Sequence, residues 1–103
     1  MKIIHIVEVN SWQNYQNQPK YFGDSLKSLG FIHCCLPEQV ISVINAWFPG
    51  RDDLILLEID SEKLNERLVF ENLEGGEEKF PHIYGPINKD AIIAWYPFRK
   101  IKG

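Results

Sequence analysis

The stretch 30-GFIHCCLPEQV-40 decides how the chain is read. It holds a histidine and two adjacent cysteines in a short apolar run, and helix signals follow at once. Phe31 to Cys34 or Cys35 reads as a brief strand, and Gly30 before it reads as the cap closing a helical turn from Asp24 to Leu29. Pro37 suits the first position of a helix, where its missing N–H costs nothing. Val40, Ile41, Ile44, Trp47 and Phe48 then recur at helical spacing until Pro49-Gly50 stops the pattern. The stretch is therefore a strand feeding a helix. Trp47 and Phe48 lie on the apolar stripe and are expected in the core.

On its N-terminal side, residues 2–8 are apolar on both alternating sets, with Ile3, His5 and Val7 on one and Ile4 and Ile6 on the other. That pattern predicts a strand covered on both faces. Asn10 or Ser11 is expected to cap a short helix carrying Trp12 and Tyr15, ended by Pro19. On the C-terminal side, Asp53 to Asp60 predicts a strong strand, Ser61 to Leu64 a turn, and Leu68 to Phe70 a short strand. The acidic loop 71-ENLEGGEE-78 reads as solvated. The segment 80-FPHIYGPI-87 is stiffened by two prolines, and Ala91 to Phe98 forms a last strand. Short strands around one good helix, without regular βαβ spacing, predict a single α+β domain over 1–103 with mostly antiparallel pairing.

The 103 residues are 45% hydrophobic and 24% charged, enough to build a core without metal or disulfide staples. A net charge of −3 argues against electrostatic capture of nucleic acid. The basic cluster Arg99, Lys100 and Lys102 reads as a solvated chain end. No segment has the roughly 18 apolar residues that span a bilayer, so no membrane association is expected. The apolar start holds a histidine and ends at Glu8 without a small-residue cleavage site, unlike a secretory signal. Adjacent cysteines make no disulfide framework, which predicts a reduced, cytoplasmic chain.

All three histidines sit in apolar extended contexts: Ile4-His5-Ile6, Ile32-His33-Cys34 and Pro81-His82-Ile83. Each could be a hydrogen-bonded structural residue, and together they could converge on one pocket. As metal ligands, His33 and Cys35 share one strand face, and His5 or His82 would have to complete the set from elsewhere, but no zinc-type spacing is present. As a nucleophile, Cys35 would be activated at the helix entrance, with His5 or His82 as base and Asp60 or Glu58 as orienter. Buried packing is the preferred reading of both thiols. Glu74, Glu77 and Glu78 read as a charged loop, and no phosphate-cradling glycine loop occurs. The rings of Trp12, Tyr15, Tyr21, Phe31, Trp47, Phe80 and Tyr84 suit either a pocket for a flat ligand or an aromatic core.

The series IHI, GFIHCC with PEQV, RDDLILLEID and FPHIYGPIN resembles the bacterial domain-of-unknown-function family 952 over about residues 3–96. Members usually carry Ser after the His-Cys pair and then Thr as the helix cap, where this chain has Cys35 and Leu36. Losing the Thr hydroxyl is expected to weaken that helix start by about 1 kcal/mol. The resemblance implies an ADP-ribosyltransferase-like fold of two small, roughly orthogonal, mostly antiparallel sheets with flanking short helices. The resemblance also implies a cleft for NAD or a related nucleotide between the sheets. His5 matches the ribose-holding position, His33 the aromatic place and Cys35 the hydroxyl's place of the second motif. His82 and Tyr84 stand where the enzymes bring a glutamate. A related branch, the NAD-dependent RNA 2'-phosphotransferases, uses several arginines, and none of Arg51, Arg67 and Arg99 falls in these motifs. The expected function is a small-molecule nucleotide pocket lined by His5, His33, Cys35, His82 and Tyr84, with any catalysis a divergent NAD-linked transfer. The alternative is a protein-interaction or regulatory module with structural histidines and an unidentified partner.

Overall fold

Strand β1 (Lys2–Glu8) is apolar on both alternating sets, and both of its faces are covered. It pairs antiparallel with β4 (Leu54–Asp60), which pairs antiparallel with β8 (Ile92–Pro97), giving the order β1-β4-β8. One face carries Ile3, Val7, Ile55, Leu57 and Ile59 into a core shared with Trp12, Tyr21 and Ile83. The other carries Ile4, Ile6, Leu54 and Leu56 into a second core with Cys35, Val40 and Ile44. Each fully buried aliphatic side chain contributes about 1.5–3 kcal/mol, so a strand with two apolar faces has to lie between two layers. The computed structural model describes residues 1–73 and 75–98, so Glu74 and the basic cluster Arg99, Lys100 and Lys102 lie outside the described residues.

A second sheet has the order β3-β6-β5, from β3 (Ile32–His33), β6 (Phe80–Ile83) and β5 (Leu68–Glu71). A third element, the ribbon of β2 (Lys20–Tyr21) and β7 (Ile87–Asn88), adds to the two expected sheets. All pairings are antiparallel. The 80–87 segment is more regular than its prolines imply, since β6 is the middle strand of its sheet. Proline is normally confined to sheet edges because it lacks a donor. Pro81 stays in the ladder through its acceptor, taking the Cys34 N–H on its carbonyl at 3.0 Å. The two larger sheets join where Ile4 and Cys35 exchange backbone hydrogen bonds, both 2.8 Å.

Helix α1 (Val9–Tyr15) runs straight out of β1 with no side-chain cap, so Asn10 and Ser11 are inside the helix and do not start it. Helix α2 (Leu26–Leu29) closes on Gly30, whose φ of +81° is open to glycine and whose N–H reaches Leu26 O at 2.8 Å. The 37–48 segment opens as a 3-10 turn (Pro37–Gln39) and continues as α3 (Val40–Trp47). Val40 and Ile44 are buried and Phe48 packs against the second core. Trp47, expected in the core, is 61% exposed. It sits on the flank of the Val40–Ile44 stripe, at the last helical residue, and borders the cavity described below.

Leu36 brings no hydroxyl to this helix start, and Gln39 instead satisfies the Leu36 backbone N–H. Its Oε1 takes the Leu36 N–H at 2.9 Å, and its Nε2 donates to Glu78 Oε2 at 3.1 Å and Lys79 O at 3.3 Å. One buried amide thus ties the helix start to the acidic loop. Gln39→Ala should cost about 2 kcal/mol, because buried polar groups lose their partners. An unchanged urea midpoint would show that water takes over these bonds. No helix among the described residues is long and apolar enough to cross a membrane.

Candidate functional site

Strand alternation places the chemistry of the second sheet on one side. His33 lies opposite His82 across β3 and β6, while Val69 lies opposite His82 and Glu71 opposite Phe80 across β5 and β6. Directly opposed residues share a face, as do residues two apart, so His33, Glu71, Phe80 and His82 all project the same way. Phe31 stacks on His82 with centroids 4.3 Å apart, and His33 meets His82 edge-on at 4.8 Å. These contacts hold the His82 ring, which is 3% exposed.

Glu71 Oε1 accepts from His82 Nδ1 at 2.9 Å and also from the Tyr84 hydroxyl. The Tyr84 bond first, and the His82 bond second, hold the Glu71 carboxyl below its ordinary value. The same bond raises the Tyr84 hydroxyl. An ionised carboxylate only accepts, so Nδ1 of His82 carries the proton, and in the neutral ring Nε2 carries the lone pair. Nε2 has no hydrogen-bond partner among the described residues.

His5 has the opposite character. Its Nδ1 donates to the His33 carbonyl at 2.6 Å, which fixes the tautomer, and its Nε2 accepts from the Tyr21 hydroxyl at 2.8 Å. Both ring nitrogens are used inside the fold. Burial, the largest cause, lowers the imidazole to about 4. Burial likewise raises the Tyr21 hydroxyl, which stays protonated as the donor.

A cavity of about 740 Å³ lies against both larger sheets, with Asn72, Leu73, Gly76, Glu77 and Glu78 along one side. His5, His33, Cys35 and His82 all line it, as does Glu71. Tyr84 does not line it and meets the site through Glu71. Glu8, Asp24, Glu77 and Glu78 complete a set of lining carboxylates, and no Lys or Arg lines the cavity among the described residues. The model of the family "Protein of unknown function (DUF952)" matches residues 6–95. The chain belongs to this family. It is similar to protein CC0527 from Caulobacter crescentus, whose crystal structure superposes with a TM-score of 0.80 at 29% identity, covering 94% of this chain and 85% of that one. The solution NMR structure of CC0527 gives a TM-score of 0.82 at 28% identity, with 97% and 86% covered. No curated protein matches this chain.

In this DUF952 chain the cysteines are not activated. Burial pushes the Cys34 thiol well up, and burial with Glu38 nearby pushes Cys35 up to about 12. Cys35 packs in the second core beside Ile4 and Val40. The expected orienting carboxylates act elsewhere. Asp60 accepts from the Glu62 N–H at 3.1 Å, and Glu58 pairs with Lys2 at 3.2 Å. The carboxylate beside His82 is Glu71, the first residue of a segment whose charge alone reads as a solvated loop. The signal for it was alternation: β5 continues one residue past Phe70, and the next same-face position after Val69 is Glu71. Among the described residues, no group of three or more His, Cys, Asp or Glu side chains is placed to hold a metal ion.

The lining also bears on NAD. A diphosphate is held by guanidinium or ammonium groups or by backbone N–H groups at a helix start. A lining with five carboxylates and no described Lys or Arg does not fit it. Apolar walls with a few convergent polar groups fit a ring.

Proposed function

We propose that this DUF952 chain binds a small ring-bearing ligand of the nicotinamide or nucleoside kind in its cleft, and that the architecture is a divergent ADP-ribosyltransferase-like one. The observation that carries the reading is His82, buried and held by Glu71 through Nδ1, with Nε2 unpartnered among the described residues at the wall of a cavity of about 740 Å³. That volume is in the range of small-molecule pockets, and a neutral ring nitrogen that no described residue engages can accept a ligand N–H or O–H. The buried, unpaired thiols accord with the reducing, cytoplasmic setting inferred for the chain.

A thermal-shift titration with nicotinamide, adenosine, ADP-ribose and NAD tests this. Nicotinamide or adenosine should raise the melting temperature, since a ligand at 100 times its Kd adds about 2.7 kcal/mol. The diphosphates should raise it less, and His82→Ala should abolish the shift. No shift with any of the four would move the reading to its alternative, a protein-interaction module. That alternative draws on His5, whose bonds are wholly internal, and on the edge strand β8, where Ile93, Trp95 and Tyr96 are exposed.

A further inference from the structure

We infer that the cleft selects an organic cation: a flat ring carrying an amidinium, guanidinium or ammonium group whose N–H meets His82 Nε2. This rests on the pocket reading above and names its ligand class. Lining carboxylates come from separate parts of the chain: Glu8 at the end of β1, Asp24 before α2, Glu71 at the end of β5, and Glu77 and Glu78 in the following loop. Such convergence is not a single solvated turn. Among the described residues only Glu8 of this set pairs with an Arg or Lys, Arg51 at 3.4 Å, while Glu71 is held by His82 at 2.9 Å. Among the described residues Asp24 and Glu78 accept only from neutral groups, the Ser11 hydroxyl at 3.0 Å and the Gln39 amide at 3.1 Å.

A carboxylate cluster by itself would be a hydrated rim. The independent observation is His82, 3% exposed, which lines the cavity with Nδ1 bonded to Glu71, so that in the neutral ring Nε2 is left as the acceptor. An anionic head group would meet both the carboxylates and this lone pair unfavourably. A cationic N–H donor meets both favourably. The cavity also borders the rings of Trp47, Phe48 and Phe80, and Trp47 keeps 61% of its surface in solvent at the helix end. Ring faces attract cations as well as other rings.

The test compares benzamidine, benzamide and benzoate, which share a ring and a planar head group and carry charges of +1, 0 and −1. Calorimetric titration of the full chain should give a Kd for benzamidine about tenfold below that for benzamide, with benzoate weakest. The preference should shrink in about 1 M salt, where the screening length is only a few ångströms. It should also shrink in the double variant Glu77→Gln, Glu78→Gln, which keeps an acceptor for Gln39. Equal binding of benzamidine and benzamide, or tighter binding of benzoate, overturns the cation inference and leaves the pocket reading standing. Benzamidine binding that survives His82→Ala unchanged places the cation elsewhere and also overturns it. Binding of none of the three, with no shift from the neutral rings above, overturns both.

Discussion

His5→Ala should cost about 3–5 kcal/mol of folding stability, enough to unfold a marginal domain. The ring is 8% exposed and packs 5.2 Å from that of Tyr21. Truncation leaves a cavity in the main core and orphans two groups, the Tyr21 hydroxyl and the His33 carbonyl. A buried polar group deprived of its partner costs about 1–3 kcal/mol beyond the lost packing. The His5 bond to the His33 carbonyl also fixes β1 against β3, next to the Ile4–Cys35 bridge. A ligand-holding role at this position would predict lost binding with the fold intact. The internal bonds predict loss of the fold first. Urea unfolding decides it: a loss below about 1 kcal/mol would mean that the two bonds carry no net stability.

Acid should destabilise the protein through the same ring. His5 in the fold sits at about 4 because burial disfavours its charged form, while in the unfolded chain it returns to 6.5. Between those values the unfolded state binds the proton and the folded state does not. The stabilisation is therefore complete above about pH 6.5 and falls as pH drops toward 4. The 2.5-unit separation corresponds to about 3 kcal/mol at its limit. The charges around the ring oppose one another, His33 lowering it further and Asp24 raising it. Other titrating groups add their own slopes, so the measurement is a difference. Urea unfolding from pH 7.5 to 4 on the native chain and on His5→Gln should diverge through this window, with the variant flatter. Parallel profiles would show that His5 titrates alike in both states.

The two histidines that face each other across β3 and β6 are thus held differently from His5. His82 is braced by Glu71, which Tyr84 also engages, and Arg67 lies 5.2 Å over the Tyr84 ring. Gln39 links the neighbouring loop to the start of α3. Substitutions at Gln39 therefore bear on the helix and on the cleft wall together.

Patterns local to the chain were legible without the structure. Alternation over residues 2–8 foretold a strand with two apolar faces, because a period of two assigns each side chain a face wherever the strand lies. Pro37 and Gly30 marked helix ends through their own backbone limits. The apolar contexts of His5, His33 and His82 left open separate structural roles or convergence, and all three border the cavity. Partner choice was decided only by the tertiary structure. Glu71 reaches His82 through the β5–β6 register, which closes over an eight-residue loop whose composition says only that it is charged. The two-residue strands β2 and β7 carry too short a pattern to announce their pairing. Pro81 enters a middle strand because its carbonyl alone satisfies the contact with Cys34. His5 became structural because the Tyr21 hydroxyl and the His33 carbonyl arrive from 16 and 28 residues away to claim both nitrogens. A side chain's face is set by its own strand, but its hydrogen-bond partner is set by whatever the rest of the chain packs against it.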